Sequence, residues 1–294
     1  MIPPPMRFAV IAQRPTPTNV ALATCAIPDV ESLLLTPAQA LVRLEPGDVA
    51  LGRLDVLATL DGVEPGFWAL DQIERGGVRL LNPPRAVGAA HDKLRTAEVL
   101  VEAGLPHPRT AALVDGTVPA GLELPVVVKP PYGSWGHEVT LCRTEADLAR
   151  HLEQLHRRPW FHVTGAVVQE LVPPLGHDLR LVVAGRRVVG AIERVALPGE
   201  WRTNVALGGA RRPVTPPPRA CEVGIAAAAA LGIDLVGVDL LPTGAGEYTI
   251  VELNGAADFT SEYNLDEDVF AAAVAALIGS AEEPELEAVA GAEL

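Results

Sequence analysis

Short apolar runs and helical periodicity alternate in the first third of the chain. The run RFAVIAQ, residues 7–13, predicts a buried strand. A second apolar segment within residues 48–60 leads to a helical candidate that ends near Gly76 and Gly77. Because strands that alternate with helices are typical of parallel sheets, we predict a small parallel-sheet unit that finishes within residues 78–87.

The segment AAHDKLRTAEVLVEAGLPHP then predicts a helix with a clear end. Leu94, Ala97 and Val101 recur at helical spacing. Gly104 suits the position directly after a helix, and the prolines at positions 106 and 108 cannot continue it. This is one of the clearest boundaries in the sequence.

Two predicted strands enclose a glycine-rich loop in the middle of the chain. They are LPVVVKP, residues 124–130, and HEVTLCR, residues 137–143, with the loop YGSWGHE between them. A helix follows at residues 144–156, where Thr144 and Asp147 form an approximate capping box. The glycines therefore join one strand to another strand and not to a helix.

Two hairpins and two helices are predicted in the C-terminal part. After the strand AVVQELV, the segment HDLRLVVAGRRVVGAIERVA predicts a hairpin that turns near Gly185. A helix at residues 219–232 leads into a second hairpin that turns at residues 243–246, and the last helix spans residues 267–279. Beyond Ser280 the chain is acidic and poor in apolar residues, which predicts a frayed tail.

The composition is that of an ordinary soluble globular protein. The 294 residues are 49% hydrophobic and 20% charged, which is enough for about two domains with a sizeable core. No uninterrupted apolar run reaches the roughly 18 residues of a membrane span, and prolines interrupt the N-terminal segment where a signal peptide would be apolar. The three cysteines lie far apart, so they suggest neither a disulfide framework nor a metal cluster, and we expect a cytoplasmic protein.

The net charge restricts the possible partners. The 23 Lys and Arg residues stand against 37 Asp and Glu residues, which gives a net charge of −14. Such a charge repels polyanions at long range, so nucleic acid is not expected as a partner. It also disfavours a strongly acidic protein partner, whereas a local cluster of basic side chains can still hold a small anion.

Three oxygen-bearing side chains come together in the second hairpin. With the turn at residues 243–246, Asp239 lies on one strand, and Glu252 and Asn254 lie two residues apart on the other, hence on one face. These oxygens suit magnesium, which binds one or two carboxylates together with phosphate oxygens and waters. The alternative is the solvated face of an ordinary half-buried hairpin.

The glycine loop can approach phosphate groups closely. Its glycines let backbone N–H groups contact phosphate oxygens, and Ser134 adds a hydroxyl donor. The loop lacks the GK[ST] signature of a P-loop, and the helix of a dinucleotide fingerprint does not follow. Lys129 precedes the loop and Lys93 opens a helix, where a lysine gains nothing from the helix dipole. An anion would offset both lysines; the alternative is a plain glycine turn with exposed lysines.

The first hairpin and the loop after it carry a second group of charged and polar residues. Asp178 and Arg180 share a face, Arg194 lies on the return strand, and Arg202 and Asn204 follow in the loop. Arginine grips phosphate or carboxylate through two parallel hydrogen bonds, so this group could hold an anionic substrate. The alternative is ion pairing at the surface. The histidines have no metal-binding spacing, and no Ser-His-Asp or Cys-His pattern is apparent.

Read in order, five segments resemble the ATP-grasp ligases, specifically the RimK-like amine and carboxylate ligases. They are HDKLRTAEVLVEAGLPHPRT, PVVVKPPYGSWGHEV, VVQELVPPLGHDLRLVVAG, WRTNVALGG and VGVDLL with YTIVELN. The GSWG loop is most similar to the branch that joins an amino acid to a carrier protein in lysine and arginine biosynthesis. The resemblance covers residues 78–280, whereas residues 1–77 resemble the N-terminal lobe of the family in pattern alone.

The resemblance implies an ATP-grasp fold that combines α/β and α+β architecture. We expect an N-terminal Rossmann-like (pre-ATP-grasp) lobe at residues 1–85 and a central lobe with the glycine-rich lid at residues 86–165. A C-terminal lobe with the magnesium site would follow at residues 166–280, and residues 281–294 would form an acidic flexible tail. The nucleotide would lie between two α+β lobes.

The resemblance also implies the site residues and the cofactors, ATP and two Mg²⁺ ions, with Mn²⁺ as an alternative metal. Lys93 and Lys129 would hold the phosphates, and the loop of Gly133, Ser134, Trp135 and Gly136 would close over them. Glu170 and the backbone of Leu171 and Val172 would take the adenine, with Asp178 at the ribose, and Gln169 is a further cofactor-binding candidate. Magnesium would bind Asp239, Glu252 and Asn254, and the acceptor carboxylate and its phosphorylated form would contact Arg180, Arg194, Arg202 and Asn204.

The implied activity is ATP-dependent formation of an amide or peptide bond. A carboxylate attacks the γ-phosphate of ATP to give an acyl phosphate, and an amine then displaces the phosphate. A closed loop keeps water away from the acyl phosphate. The substrates would be an amino acid, a peptide or an amino-group carrier protein, and we expect a homo-oligomer, either a dimer or a tetramer.

Two features of the sequence leave the substrate open. The small residues in GAADFTSEYN, after Asn254, do not match the carrier-protein branch, and the net charge of −14 opposes docking of an acidic carrier, although arginine pairs begin at positions 157, 186 and 211. The alternatives are a glutamate ligase that extends a protein or cofactor tail, a small-molecule kinase on this fold, and a nucleotide-binding pseudoenzyme. Retention of both lysines and all three magnesium ligands disfavours the pseudoenzyme.

Overall fold

Three sheets and the helices that cover them make up the described part of the chain. The computed structural model describes residues 6–25, 28, 30–113 and 118–282. The expectations for residues 1–5 and for the tail beyond residue 282 lie outside the described residues. One parallel sheet and two antiparallel sheets confirm the prediction of combined α/β and α+β architecture.

The N-terminal sheet is parallel, as the alternation of strands and helices predicts. Thr16 and Thr36 cap its first two helices by accepting a backbone N–H, and a proline follows each cap, where its missing N–H costs nothing. The strand order is β2-β1-β3-β4. The elements are β1 (Met6–Ile11), α1 (Pro17–Thr24), β2 (Val30–Leu35), α2 (Pro37–Arg43), β3 (Val49–Gly52), α3 (Phe67–Arg75) and β4 (Arg79–Leu81).

The helix predicted before Gly104 is preceded by a second, separate helix. The first, α4 (Pro84–His91), ends at Asp92, whose side chain accepts two backbone N–H groups and caps α5 (Lys93–Glu102). The break places Lys93 at the first position of α5. Gly104 has a φ of +67° and follows the end of this helix, as predicted.

The central sheet is antiparallel and contains the strands on both sides of the glycine loop. Its order is β5-β8-β6-β7. Helix α6 begins with the capping box of Thr144 and Asp147 that the sequence predicts. The elements are β5 (Thr110–Leu113), β6 (Val126–Lys129), β7 (Thr140–Cys142), α6 (Glu145–Leu155), α7 (Pro159–Thr164) and β8 (Ala166–Glu170).

Strand β8 corrects the expected boundary at residues 165 and 166. The sequence places residues 166–170 at the start of the C-terminal lobe, but β8 pairs with β5 and β6 of the central sheet. The hydrophobic pattern shows that a strand is present and does not show its partners, because both partners are distant in sequence. The central sheet therefore extends to Glu170.

The C-terminal sheet contains both predicted hairpins, and its order is β11-β10-β9-β12-β13. The elements of this region are β9 (His177–Ala184), β10 (Arg187–Val195), β11 (Ala210–Pro213), α8 (Pro218–Leu231), β12 (Leu235–Gly244), β13 (Glu247–Asn254) and α9 (Val269–Glu282), with short 3₁₀ helices at Val205–Leu207 and Ser261–Tyr263. The chain reverses at Gly185 and after Gly244, as expected. Among the described residues, no helix is both long and apolar enough to span a membrane.

The two faces of strand β9 have different surroundings. Leu181 packs against α8 on one face, whereas Val182 and Ala184 pack with α9 on the other. Asp178 and Arg180 share the second face, because alternate residues of a strand point to the same side. This face of the sheet thus changes from apolar core to charged surface along one strand.

A buried asparagine links the N-terminal unit to the C-terminal sheet. Asn82 follows β4, is fully buried and has a φ of +53°. Its Oδ1 accepts the N–H groups of Asp234 and Leu235, each at 2.8 Å, and its Nδ2 donates to the carbonyl of Leu235 at 2.8 Å. Asparagine tolerates the left-handed backbone region, so Asn82 can adopt the turn after β4. Its side chain at the same time supplies hydrogen-bond partners to the backbone at the start of β12.

We expect Asn82→Ala to lower the free energy of unfolding by about 2–4 kcal/mol, because it leaves buried backbone groups without partners. Unfolding in denaturant measures the change. The exposed substitution Val42→Ala is the control and should be close to neutral. A loss below about 0.5 kcal/mol for Asn82→Ala, the range of ordinary surface changes, would contradict this role.

Candidate active site

One face of the C-terminal sheet carries a row of charged side chains in register. Each strand from β9 to β13 contributes to the row, and neighbouring members face each other across antiparallel pairs. Side chains opposite each other in such pairs project from the same side of the sheet. From edge to edge the row comprises Arg211, Arg194, Asp178, Arg180, Asp239 and Glu252.

Asp239 is the centre of this row. It accepts hydrogen bonds from Nε and Nη2 of Arg180 at 2.6 and 2.7 Å and from Nη2 of Arg194 at 2.8 Å. Burial opposes its charge, but the two guanidinium groups outweigh burial and hold the pKa of Asp239 well below its usual range. Asp239 is therefore a carboxylate at neutral pH.

Arg194 connects Asp239 to a second buried carboxylate, Asp178. Its Nε donates to Asp178 Oδ1 at 2.8 Å, and the hydroxyl of Thr203 donates to Asp178 Oδ2 at 2.6 Å. Arg180 and Arg194, which we expected to hold the acceptor carboxylate, thus bind carboxylates of the protein itself. Asp178, which we expected at the ribose, is likewise held within the protein. Local spacing does not show this, because Arg180 and Asp239 are 59 residues apart.

Two lysines of the central lobe belong to the same site. Lys93 Nζ donates to the carbonyl of Gly133 at 2.7 Å and lies 3.2 Å from Glu252 Oε1. Lys129 is 5% exposed, and its Nζ donates to Gln169 Oε1 at 2.8 Å. Burial and the charge of Lys93 lower the pKa of Lys129 to about 8, against the influence of nearby carboxylates. The negative charge of a bound polyanion would offset both effects, because it favours the ammonium form of Lys129.

The rarity of lysine is a sequence signal for this site. Of the 23 basic residues, two are lysines, Lys93 and Lys129, and both line the same cleft. Lysine presents a compact charge with three donors and suits a phosphate as a point charge. Considered singly, each lysine resembles an ordinary surface residue. Their scarcity in the whole chain marks them more clearly than the local pattern around either one.

Hydrogen bonds behind Lys129 fix its position. Gln169, which accepts from Lys129, donates through Nε2 to the hydroxyl of Thr110 at 2.8 Å. The same Nε2 lies 3.5 Å from His107, whose Nδ1 is 2.8 Å from the carbonyl oxygen of Ile250. Burial lowers the pKa of His107 to about 4, so its ring is neutral. The sequence does not mark His107 or Thr110, because the pairing of β5 with β8 creates these contacts.

The glycine loop packs against the charged row. Gly136 has a φ of +76°, and a Cβ at this position would lie 2.7 Å from Oδ1 of Asn204. Both reasons favour glycine there. Lys93 binds a carbonyl near the start of the loop, and Nη1 of Arg202 donates to the carbonyl of Val139 at 3.2 Å near its end. Site residues therefore hold the loop at both ends.

A cleft of about 940 Å³, including the part open to solvent, lies between the central sheet and the charged row. This volume suits a small-molecule ligand of nucleotide size. At the end of β8, Glu170 pairs with Arg109 at 3.1 Å. Most of the predicted site residues line this cleft: Lys93, Lys129, Gly133, Ser134, Gly136, Gln169, Glu170, Leu171, Val172, Asp178, Arg194, Arg202, Asn204, Asp239 and Glu252.

A second cavity of about 960 Å³ adjoins the cleft and includes residues of the N-terminal unit. The remaining predicted site residues, Trp135, Arg180 and Asn254, line this cavity instead of the cleft. Trp135, which we expected in the loop that closes over the phosphates, is half-exposed and lines the second cavity. Four residues line both spaces and form their shared wall: Ser134, Arg194, Asn204 and Glu252.

The oxygen donors of the row fit magnesium in their chemistry. Asp239 and Glu252 face each other across β12 and β13, and Asn254 adds an amide oxygen two residues on. In the part of the chain that the structure describes, no three Asp, Glu, His or Cys side chains gather closely enough to hold an ion alone. Magnesium commonly takes one or two carboxylates together with phosphate oxygens and water, so this set suits an ion bound jointly with a nucleotide.

The architecture is that of an ATP-grasp enzyme: two lobes hold a nucleotide-sized cleft, with lysines and a glycine loop on one side and carboxylates on the other. A family model described as the RimK-like ATP-grasp domain matches residues 90–276. The chain therefore belongs to the RimK-like ATP-grasp family.

Named relatives of this chain are ligases. The chain is 28% identical over 221 residues to glutamate–LysW ligase ArgX of Sulfurisphaera tokodaii, covering 73% of this chain and 78% of that protein. It is 33% identical over 220 residues to ribosomal protein bS6–L-glutamate ligase of Salmonella paratyphi B, covering 73% of this chain and 70% of that protein.

Solved structures show the same fold over nearly the whole chain. A RimK domain ATP-grasp protein from Sphaerobacter thermophilus has a TM-score of 0.64 at 22% identity and covers 93% of this chain and 100% of its own. D-alanine–D-alanine ligase from Bacillus anthracis, solved with ATP, has a TM-score of 0.67 at 17% identity over 94% and 97% of the two chains. The chain is thus an ATP-dependent ligase that forms carbon–nitrogen bonds, and ligases of this class use divalent metal ions.

We expect Lys129 to titrate near pH 8, because burial lowers its pKa from the ordinary value of 10.5. Between these values the folded protein binds fewer protons than the unfolded chain, so the contribution of Lys129 to stability rises with pH across that window. Since the chain has two lysines, NMR of protein labelled with carbon-13 at lysine Cε follows each one separately.

Lys129→Arg should remove the resonance that titrates near pH 8, and Lys93→Arg should leave a Lys129 resonance in place. Addition of ATP should move the titration of Lys129 to higher pH, because the phosphates favour the charged form. Titration of Lys129 at its ordinary value would contradict the burial of this ammonium group.

We expect Gly136→Ala to slow ATP-dependent turnover at least about tenfold, because its Cβ would displace the loop from Asn204. Gly104→Ala is the matched control, since it has a similar positive φ of +67° but no atom within 4 Å of the new Cβ. The backbone strain is therefore comparable, and the control should keep turnover within about twofold. Equal loss in both variants would mean that strain alone, and not the loop contact, determines the effect.

Proposed function

We propose that the chain uses ATP to phosphorylate a carboxylate at the wall between the two cavities and then joins that carboxylate to an amine. The shared wall carries this proposal, because Ser134, Arg194, Asn204 and Glu252 line both spaces. A phosphoryl group passes only between groups in contact, so the γ-phosphate in one cavity must meet the carboxylate of the other at this wall.

The cleft takes the nucleotide in this proposal. Glu170 and the backbone of the two residues after it would contact the adenine at the end of β8. Lys93 and Lys129 would donate to the phosphate oxygens, since both ammonium groups line the cleft and Gln169 holds the second in place. The glycine loop would then close over the phosphates.

The metal ligands in this proposal are Asp239, Glu252 and Asn254, and the number of Mg²⁺ ions is two. Bound magnesium would offset negative charge on the phosphate oxygens. Arg180 and Arg194 hold Asp239 in place, and Asp178 with Thr203 fixes the guanidinium of Arg194. These residues would keep the wall in one geometry before substrates bind, which is the arrangement that electrostatic catalysis requires.

The reaction has two steps. A carboxylate oxygen of the acceptor attacks the γ-phosphorus, the bond to ADP breaks, and an acyl phosphate forms. The nitrogen of an amine then attacks the acyl carbon, inorganic phosphate leaves, and the amine loses a proton. Arg194, Arg202 and Asn204 would face the acceptor carboxylate and the acyl phosphate, and the loop would exclude water from that intermediate.

The substrates in this proposal are an amino acid, a peptide or a carrier protein. A second candidate, glutamate ligation to a protein tail, is supported by the relatives named glutamate–LysW ligase and bS6–L-glutamate ligase. The net charge of −14 disfavours long-range attraction of an acidic protein. The charge therefore favours a small acceptor over an acidic carrier.

We expect inorganic phosphate release from ATP and Mg²⁺ to depend on the presence of both a carboxylate and an amine. A screen of paired amino acids, with phosphate as the readout, tests this. Glu252→Gln should reduce the rate at least about 100-fold by removing a charged metal ligand, with the fold intact. Glu247→Gln, an exposed residue on the same strand, is the matched control and should retain the wild-type rate.

Two outcomes would contradict the proposal. Transfer of phosphate to a small molecule without any dependence on an amine would identify a kinase. A near-normal rate for Glu252→Gln would remove this residue from the metal site. Hydroxylamine in place of the amine adds a direct check, since it converts an acyl phosphate to a hydroxamate.

A further inference from the structure

A short segment of the central lobe contacts the open edge of strand β13. This strand is the last in its sheet, and Ile250 donates its N–H to the carbonyl of Pro106 at 2.9 Å. Residues paired across antiparallel strands often return such a bond, but Pro106 has no N–H with which to do so. Nδ1 of His107 lies 2.8 Å from the carbonyl oxygen of Ile250 and supplies the missing donor. A side chain thus completes a backbone contact between two lobes.

The contact with Ile250 determines the tautomer of the His107 ring. A carbonyl oxygen only accepts hydrogen bonds, so the ring carries its hydrogen on Nδ1. Because burial lowers the pKa of His107 to about 4, the ring is neutral and Nε2 is an acceptor. This nitrogen faces two donors, the hydroxyl of Thr110 at 3.2 Å and the amide nitrogen of Gln169 at 3.5 Å. The ring therefore presents a donor to β13 and an acceptor to the central sheet.

The acceptor on His107 favours one orientation of the Gln169 amide. The amide nitrogen donates to the hydroxyl oxygen of Thr110 at 2.8 Å and has a second hydrogen for the ring. With the nitrogen on this side, the amide oxygen accepts from Lys129 at 2.8 Å. Reversal of the amide would place its NH₂ group against the buried ammonium group. The donors therefore follow one direction, from Lys129 through Gln169 and His107 to the carbonyl of Ile250.

His107 lies outside the spaces that would hold the substrates. Among the described residues, Lys129 and Gln169 line the cleft, whereas His107 lines neither the cleft nor the second cavity. The strand that it contacts carries Glu252 two residues after Ile250. The ring thus joins a lysine of the central lobe to the strand of a proposed metal ligand, and it can affect a ligand only through its neighbours.

We propose that His107 is a positioning residue for ATP binding: its ring, with the hydrogen on Nδ1, fixes Gln169 and so holds the ammonium group of Lys129 in place relative to strand β13. A side chain that is held in place before binding loses less conformational freedom when the ligand arrives, which strengthens binding. The inference rests on the proposed function, in which Lys129 donates to the phosphates of ATP.

Calorimetric titration of the full chain with ATP and Mg²⁺ tests this inference. His107→Phe keeps an aromatic ring and removes both nitrogens, so ATP should bind at least about fivefold more weakly. His162→Phe is the matched control, because His162 also contacts a backbone carbonyl, that of His156 at 2.8 Å, but is exposed on α7. The control should bind ATP as the wild type does.

Double variants separate positioning of Lys129 from a general structural role. In Lys129→Met, which lacks the ammonium group, His107→Phe should cause no further loss of ATP affinity, because residues that act through one network are not additive. In Lys93→Met, His107→Phe should cause its full loss of at least about fivefold, since Lys93 has no part in this network.

His107→Asn is a second variant that keeps the contact between the lobes. Its amide nitrogen is as many bonds from Cα as Nδ1 and can donate to Ile250, but no acceptor takes the place of Nε2. This variant should be as stable as the wild type and should bind ATP as weakly as His107→Phe. Thermal unfolding shows that each variant is folded.

Three results would overturn the inference: His107→Phe binds ATP as the wild type does, it causes the same loss in Lys129→Met as in the wild type, or His107→Asn keeps the wild-type affinity. The single variant Lys129→Met separates this inference from the proposed function. If Lys129→Met binds ATP as tightly as the wild type, the proposed role of Lys129 fails. If Lys129→Met binds at least about tenfold more weakly and one of the three results is found, only this inference fails.

Discussion

The ion pair between Asp239 and Arg180 is the interaction on which the site depends. It joins neighbouring strands of the two hairpins, and Arg194 extends it to Asp178 on the far side. Removing Asp239 would leave the guanidinium of Arg180 without its carboxylate partner, which costs more than replacing both members of the pair by apolar residues. The network fixes the orientation of one wall of the nucleotide cleft, and Glu252 follows Asp239 on the next strand.

The central lobe adds two ammonium groups next to the carboxylates of this wall. Lys93 reaches Glu252 and the glycine loop at once, so it links the loop to the C-terminal sheet. Lys129 stays buried close to that charge, which lowers its pKa. Two ammonium groups this close together repel each other. Such a pair is expected where a polyanion binds, because the negative charge of the ligand offsets the repulsion. The glycine loop, Lys93 and the charged row would therefore respond together when ATP enters.

Local features of the fold follow from the sequence, whereas long-range pairings do not. The capping box at Thr144 and the parity that aligns Glu252 with Asn254 depend on residues a few positions apart, so the pattern predicts them. The sheet that receives β8 and the pairing of Arg180 with Asp239 depend on segments far apart in sequence. Arg180 and Arg194, which we predicted to bind the substrate, form ion pairs within the protein because of this strand pairing. The spacing of residues along the sequence does not reveal these ion pairs.

The central claim is that a carboxylate oxygen attacks the γ-phosphate at the shared wall. It is tested most directly with a carboxylate substrate labelled with oxygen-18, identified by the phosphate-release screen, and with mass spectrometry of the released phosphate. The account predicts that each phosphate released with an amide carries one labelled oxygen from the substrate, because the acyl phosphate breaks at the acyl carbon. Unlabelled phosphate at the same yield of amide would contradict the account.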